Sequence, residues 1–337
     1  MEIIKNQSLK HYNTFGIDVK AREFVSIHSE EELREVLREN TGKRIFVLGG
    51  GSNMLLTNDV DALVVHIDIK GKEILSEDED HAIIRAMAGE TWHEFVLYTI
   101  GENLGGLENM SLIPGNVGTT PIQNIGAYGA EIKDTFVSCD AMNIHTQEMR
   151  TFTREECKFG YRESIFKNGE KGNYIILSVT FRLTRRNHKI NTGYGDIQKK
   201  LAENGIVNPT LKDVSDAVIA IRRSKLPDPK ELGNSGSFFK NPIVPIAVYE
   251  KAKATHPDIP HYPVSETEVK VPAGWLIEHA GFKGYREGDA GVHKNQALVL
   301  VNYGNASGAD ILALSRKVQQ AIFDKYGIRI EAEVNVI

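Results

Sequence analysis

The chain has 337 residues, 41% of them hydrophobic and 25% charged, close to the globular average. That excludes a disordered or collagen-like polymer and a single small module. Forty Lys and Arg stand against 45 Asp and Glu, net −5, so bulk charge does not draw in a polyanion, and neither a nucleic-acid partner nor a polybasic membrane anchor is expected.

In chain order, the first ten residues lack the apolar segment of a signal peptide, and no later stretch has the roughly 18 uninterrupted apolar residues of a spanning helix. A cytoplasmic protein without a membrane partner is expected. Residues 29–39 open on Ser29 as a cap and place Leu33, Val36 and Leu37 on one face, predicting an amphipathic helix. A strand over 44–48 runs into Gly49-Gly50-Gly51-Ser52-Asn53, and the apolar residues 54–56, a turn at Asn58-Asp59 and a strand over 62–69 follow. These glycines join strand to strand. A dinucleotide fingerprint or a P-loop needs glycines that open a helix, which weakens the Rossmann reading. Two readings remain: a run whose backbone amides can hold an anion as a nest, or a tight turn with no ligand.

A strand over 82–88 and a helix over 91–100 precede a second glycine-dense segment, 105–129, with six glycines and two prolines. Regular helix or strand is not expected there, and Leu112, Ile113, Val117, Ile122 and Ile125 make it an anchored segment instead of a linker. Ordered irregular stretches of that length are usually functional. Two such loops suggest one extended phosphate-bearing ligand. Strands over 136–144, 149–152 and 174–183 continue an α+β pattern. Cys139 and Cys157 form no CxxC pair and lack a companion histidine at zinc spacing, so they read as buried thiols of a reducing compartment, and no metal site is expected. A boundary is placed at 222–232, where Leu-Pro-Asp-Pro-Lys breaks regular structure. A helix over 308–326 stopped by Gly327 and a strand over 328–336 close the chain.

Four polar groups stand out. Arg162 lies among Phe159, Gly160 and Tyr161, a setting in which a guanidinium can grip a carboxylate, or pair with Glu163 at the surface. Tyr194 between Gly193 and Gly195 suits a loop that closes over a ligand, or an ordinary turn. Ser237 lies between a glycine turn and Phe238-Phe239. Glu331 and Glu333 share a strand face by period two, where most carboxylates are merely solvated. Singly, each has an ordinary structural explanation.

Together they form a series. Asn13-Thr14-Phe15-Gly16, Gly49 to Asn53, Gly106 to Asn109, Ile113-Pro114-Gly115, Gln123 to Gly129, Phe159 to Ser164, Lys225 to Pro229, Gly236 to Pro242, Ala273 to Ile277 and Gln296 to Val299 succeed one another in an order and spacing that resembles the UDP-N-acetylenolpyruvoylglucosamine reductase family. The Tyr194 loop resembles that of its type I branch. The resemblance implies an α+β fold of the PCMH/vanillyl-alcohol-oxidase type. FAD-binding subdomains would span 1–70 and 71–220, a substrate-binding domain 221–327, and a terminal strand 328–337 would carry Glu333 back to the site.

It also implies non-covalent FAD and NADPH as co-substrate. NADPH reduces the flavin at N5, and the enolpyruvyl ether of UDP-N-acetylglucosamine then enters the same cleft to receive hydride at C3 and a proton at C2. By the same resemblance Arg162 pairs with the carboxylate, Ser237 protonates C2 and Glu333 completes the catalytic set. An ionised Glu333 repels the enolate, so it is expected to carry a proton or a donor. Gly49, Gly50, Gly51, Ser52, Asn53, Ile113, Pro114, Gly115, Gly118, Thr119, Thr120, Gln123, Asn124, Gly126 and Ala127 are implied to bind the cofactor. Tyr128, Tyr161, Tyr194, Lys225, Asn241, Tyr262, Lys270 and Gln296 are implied to bind the UDP-sugar, in a monomer engaged in peptidoglycan precursor synthesis. Two other readings stay open: an FAD-dependent alcohol oxidase of the same fold, and a non-catalytic nucleotide-binding protein. Covalent attachment in such oxidases uses His or Cys, which neither glycine loop contains, although His93 lies upstream.

Overall fold

The computed structural model describes residues 2–337. Packing divides the chain into two units, one of residues up to 7, 22–50 and 61–222, the other of 8–21, 51–60 and 223–337.

The first strands are β1 (Ile4–Ser8), β2 (Lys20–Ile27), β3 (Ile45–Leu48), β4 (Met54–Leu55) and β5 (Val60–Ile67). A four-stranded sheet runs β1-β2-β5-β3, with β3 parallel to β5 from Ile45↔Leu63 to Leu48↔His66. Helix α1 (Glu30–Glu39) starts as its residues demand: the Ser29 hydroxyl accepts the Glu32 amide at 3.1 Å, satisfying one of the orphan donors of the first turn. Its apolar face, Leu33, Val36 and Leu37, packs with Val25, Ile27, Leu63 and Val65.

The first unit's second sheet contains β6 (Lys72–Glu77) and β7 (His81–Met87). After helix α2 (Trp92–Gly101) and the short pair β8 (Gly126–Ala127) and β9 (Ala130–Glu131) come β10 (Phe136–Asn143), β11 (Met149–Thr153) and β12 (Tyr174–Thr184). The order is β11-β10-β12-β7-β6, every pair antiparallel. Strand β12 is buried over most of its length, and Phe181 meets Trp92 and Phe95 of α2 at centroid separations of 5.9 and 5.5 Å. Such aromatic contacts add to the area they bury. Cys139 and Cys157 both lie in this core as free thiols, and their mutual contact and burial push the Cys139 thiol well up.

Two helices went unread in the sequence, α3 (Gly195–Glu203) and α4 (Leu211–Lys225). Their joint core, with Ile197, Leu201, Val214, Val218 and Ile221, follows the i, i+3, i+4 spacing that announces a helix. The 105–129 segment is also more ordered than expected: Val117–Gln123 forms a 3-10 helix with Pro121 inside, longer than the usual three or four residues.

The second unit adds β13 (Gly233–Ser237), β14 (Ile243–Pro245), α5 (Ile246–Thr255), β15 (Tyr262–Pro263), β16 (Glu268–Lys270), α6 (Ala273–His279), β17 (Arg286–Glu287), β18 (Ala290–Val292), β19 (Val299–Asn302), α7 (Gly308–Tyr326) and β20 (Asn335–Val336). Its sheets are β13-β19-β18-β17 and β14-β16-β15, and β20 lies parallel to β4. Helix α7 and its stop at Gly327, at φ 67°, match the sequence reading to the residue, and a reciprocal Ser307–Asp310 capping box opens it. The expected strand over 328–336 shrinks to Asn335–Val336. Residues 331–333 spend their hydrogen bonds on Phe238 and Lys240, through a single bridge at Phe239↔Ala332, before the chain moves to β4. Divided between two partners, the segment builds a full ladder with neither. No helix among the described residues is long and apolar enough to cross a membrane.

Candidate active site

The two glycine-rich segments meet inside the first unit. A Cβ on Gly49 falls 2.5 Å from Thr119 Cγ2, and one on Gly50 falls 2.9 Å from Gly115 Cα. Only hydrogen at these positions lets the backbones approach so closely. Gly118 is packed as tightly on Ala88, 2.4 Å from its Cβ. Among the described residues, no acceptor takes the backbone amides of Gly50 and Gly51, so both remain available to an anion. The loop therefore fits a phosphate-bearing cofactor.

In the second unit Gly51, at φ 61°, accepts the Thr14 amide at 3.1 Å through its carbonyl oxygen. Ser52 and Asn53 come next, and the Asn53 carbonyl accepts the Asn335 side-chain amide at 3.0 Å. The C-terminal strand thus holds the end of this loop.

Residues 113–127 are fixed from below. Ile113, Ile122 and Ile125 pack on the aromatic core of the first unit. The hydroxyls of Thr119 and Thr120 donate to the carbonyls of Asn116 and Val117, each at 2.7 Å. Pro114 and Gly115 precede this turn and Gln123 ends it. Asn124, buried at φ 44°, donates to Gly160 O at 2.9 Å and Glu131 Oε2 at 3.1 Å. Gly126 and Ala127 form β8, where a Cβ on Gly126 meets Ala130 O at 2.5 Å. The His93 ring accepts the Leu112 amide at 3.0 Å, which ties it to the protein's own backbone.

Arg162 rests on this segment. Its Nη2 donates to the Gly126 carbonyl at 2.8 Å, and its Cζ stands 5.4 Å from the centre of the Tyr161 ring. Behind it, the Ser164 hydroxyl donates to Ile122 O at 2.6 Å and Lys167 Nζ donates to Arg162 O at 3.0 Å. Leu112, Asn124, Tyr128 and Arg162 all have φ between 44° and 59°. Left-handed backbone at non-glycine residues is sparse and gathers where surrounding structure holds it for a purpose.

Tyr128 meets Tyr194, the cap residue of α3, edge to face at 5.8 Å and 77°. Its phenol also bonds the guanidinium of Arg222, whose pKa burial pulls down and Tyr128 pulls back up. Asn109 holds both partners' loops, donating to Tyr128 O at 3.1 Å and to Asn191 O at 2.9 Å. Arg222 and Asn109 escaped the sequence reading. The signals were present: Arg222 lies at i+4 from Val218 on α4, and Asn109 ends the Gly106-Leu107-Glu108-Asn109 motif.

In the second unit, β13 slips register on β19 between Asn234 and Ser237, which faces Val299. The Asn234 side chain accepts the Gly236 amide at 2.9 Å and Gly236 sits at φ 68°, a bulge that re-aims the strand end. Buried Phe238 and Phe239, 5.1 Å apart, anchor the chain just after Ser237. Glu333 donates its amide to Phe238 O at 2.8 Å, which brings it to the neighbour of Ser237. Gln296 Oε1 accepts the Leu298 amide at 3.3 Å in the turn before β19, and Asn241 Oδ1 accepts the Ala273 amide at 3.0 Å, at the start of α6. Lys270 is the cross-strand partner of both Ile243 and Tyr262, and Tyr262 is exposed. Lys225 ends α4.

The residues expected to act together therefore fall into two groups. Arg162, Tyr128, Tyr161 and Tyr194 belong to the first unit; Ser237, Glu333, Lys225, Asn241, Tyr262, Lys270 and Gln296 belong to the second. Among the described residues, no group of three or more His, Cys, Asp or Glu is placed to hold a metal ion.

Residues 21–151 match the family pattern of an FAD binding domain, and residues 228–337 match that of the UDP-N-acetylenolpyruvoylglucosamine reductase C-terminal domain. The chain is 69% identical over 337 residues to a UDP-N-acetylenolpyruvoylglucosamine reductase of Flavobacterium johnsoniae, covering all of both chains. It is 51% identical over 331 residues to one of Pseudomonas putida, covering 98% of this chain and 97% of that one. Its fold superposes on the crystal structure of the Thermus caldophilus reductase with a TM-score of 0.68 at 25% identity, covering 99% of this chain and 98% of the other. With an FAD-binding α+β fold, a matching C-terminal domain and full-length identity of this size, the chain belongs to the UDP-N-acetylenolpyruvoylglucosamine reductase family of flavin-dependent oxidoreductases.

Proposed function

We propose that this protein reduces the enolpyruvyl ether of UDP-N-acetylglucosamine to UDP-N-acetylmuramate, a peptidoglycan precursor, with NADPH as co-substrate, as a cytoplasmic monomer. In this reading the two sheets of the first unit are the FAD-binding subdomains expected over 1–70 and 71–220. The segment 221–327 binds the UDP-sugar and 328–337 returns Glu333 to the site. The observation that carries the proposal is the backbone bond from Glu333 to Phe238, which brings the last segment of the chain beside Ser237.

Gly49 to Asn53 and Ile113 to Ala127 would hold FAD non-covalently, and the flavin would supply the hydride-transfer chemistry that links the nicotinamide to the vinyl carbon C3. The rest falls to side chains. Arg162 holds the substrate carboxylate, into which negative charge flows as C3 is reduced, and a preset guanidinium stabilises that charge without reorganising. Ser237 delivers the proton to C2. A serine hydroxyl is a weak acid, so the step relies on the strongly basic carbon it meets and on polar neighbours. Glu333 assists while carrying a proton, because a second anion beside the growing charge opposes the reaction. Tyr128, Tyr194, Lys225 and Lys270 take the diphosphate, and Tyr161, Asn241, Tyr262 and Gln296 position the sugar and the enolpyruvyl group.

Anaerobic titration of the yellow holoprotein tests this. NADPH is expected to bleach it and the enolpyruvyl nucleotide to restore the colour. Bleaching by simple alcohols with reoxidation by O2 supports an oxidase, and a colourless protein that only binds nucleotides overturns the proposal.

A further inference from the structure

The first unit has a cavity of about 300 Å³ that shares no lining residue with the positions given roles above. It opens at the end of β12, where Arg182 is joined by Arg154 from beyond β11, Lys189 from the segment after β12, His81 from β7 and Thr135 from the turn before β10.

Outside the lining, Asp78 Oδ1 stands 3.9 Å from His81 Nδ1, and its carboxyl is held down in part by His81 and Arg182. Among the described residues, Arg154, Arg182 and Lys189 form no ion pair within 4.0 Å. Cations close by in sequence are committed instead: Arg150 pairs with Glu156 at 3.1 Å, Arg185 with Glu77 at 3.5 Å and Arg186 with Glu79 at 2.7 Å. The lining also carries two carboxylates, each of which accepts a backbone amide. Glu108 Oε2 accepts the Gly106 amide at 2.7 Å, and Asp134 Oδ2 accepts the Glu131 amide at 2.9 Å. Arg182 Nη2 stands 3.1 Å from His81 Nδ1. Because a guanidinium only donates, His81 accepts at Nδ1 and its ring proton sits on Nε2, a further donor.

We propose that this pocket binds a small phosphorylated anion. Two guanidinium forks, an ammonium and the Thr135 hydroxyl match tetrahedral, multiply charged oxygen clusters better than a lone carboxylate. The volume lies at the lower end for ligand sites, which suits a phosphate or diphosphate group and leaves no room for a nucleotide sugar. Two lining residues lie close in sequence to groups that hold Tyr128. Glu108 precedes Asn109, whose side chain donates to Tyr128 O and to Asn191 O, and Lys189 lies two residues before Asn191.

Inorganic pyrophosphate titrated into the holoprotein by calorimetry at fixed ionic strength tests the site. Saturable binding is expected, weakened about tenfold or more by the double variant Arg154→Ala/Arg182→Ala, while the rate of flavin bleaching by NADPH is unchanged. The charge reversal Lys189→Glu, on an exposed residue, gives the same loss should the double variant fold poorly. Absence of saturable binding in the millimolar range overturns the proposal. So does binding that both variants leave intact, since the anion then occupies another site.

Discussion

Tyr128 hydrogen-bonds the Arg222 guanidinium, and the buried Nε of that guanidinium has no hydrogen-bond partner among the described residues. The phenol is thus a principal compensation for a cation withdrawn from water. Tyr128→Phe is expected to destabilise the protein by about 1–3 kcal/mol, the usual toll of a buried polar group losing its partner. Arg222→Met, which removes the stranded charge as well, is expected to be less damaging. Chemical denaturation of both variants checks the order, and equal losses would contradict it.

Arg162 keeps its place through Gly126 O and an unusual backbone at φ 56°. Arg162→Lys retains the charge but not the planar fork. Turnover is expected to fall about a hundredfold with the melting temperature nearly unchanged, as read by steady-state kinetics and thermal unfolding. A lysine variant with full turnover rules out a bidentate grip.

Ser237 and Glu333 are expected to act in the second half of the reaction alone. In stopped flow, Ser237→Ala should bleach with NADPH at the native rate and recolour with the enolpyruvyl nucleotide about a hundredfold or more slowly. Glu333→Gln should slow the same phase, and near-full activity in that variant argues against an acid role.

Gly50→Ala drives a methyl group to within 2.9 Å of the Gly115 backbone. Backbone cannot swing aside as a side chain does, so overpacking of about 1–3 kcal/mol is expected, with a weaker hold on FAD. Gly49→Ala, whose nearest neighbour is the movable Thr119 side chain, should be milder. Flavin release on dilution, followed by fluorescence, compares the two.

His66 lies over Phe24 at 6.0 Å, with Ser26 Oγ 2.9 Å from its Nδ1. Burial holds its pKa below the usual 6.5, opposed by Asp68 and aided by Lys70 and His28. His293, also buried, is displaced the same way. The unfolded chain then binds more protons than the folded one as pH drops below about 6.5, so stability present above that value declines toward pH 5. Melting temperature across this range should fall less steeply in His66→Gln, and a native profile that stays flat removes the assignment.

Much of the local structure was legible because it depends on neighbours in sequence. Ser29 and Ser307 cap their helices within one turn, Gly327 stops α7, and the glycines after residue 48 open no helix because Met54-Leu55 is already strand. The ordered motifs from Asn13 to Val299 marked the family for the same reason: they are strings, and strings are visible without a fold. α3 and α4 were legible by spacing and missed, whereas the shrinking of the last strand was not legible, since it arises from two competing partners.

Residue types and their order along the chain determined the fold class, the family and the set of side chains able to do the chemistry, because propensities, caps and motifs act over a few residues. Tertiary structure alone decided that Glu333 comes to Phe238, that Gly50 touches Gly115, and that Arg222 reaches Tyr128. Those contacts join segments far apart in sequence, and a hydrogen bond between them exists only once the sheets and loops that carry them have closed.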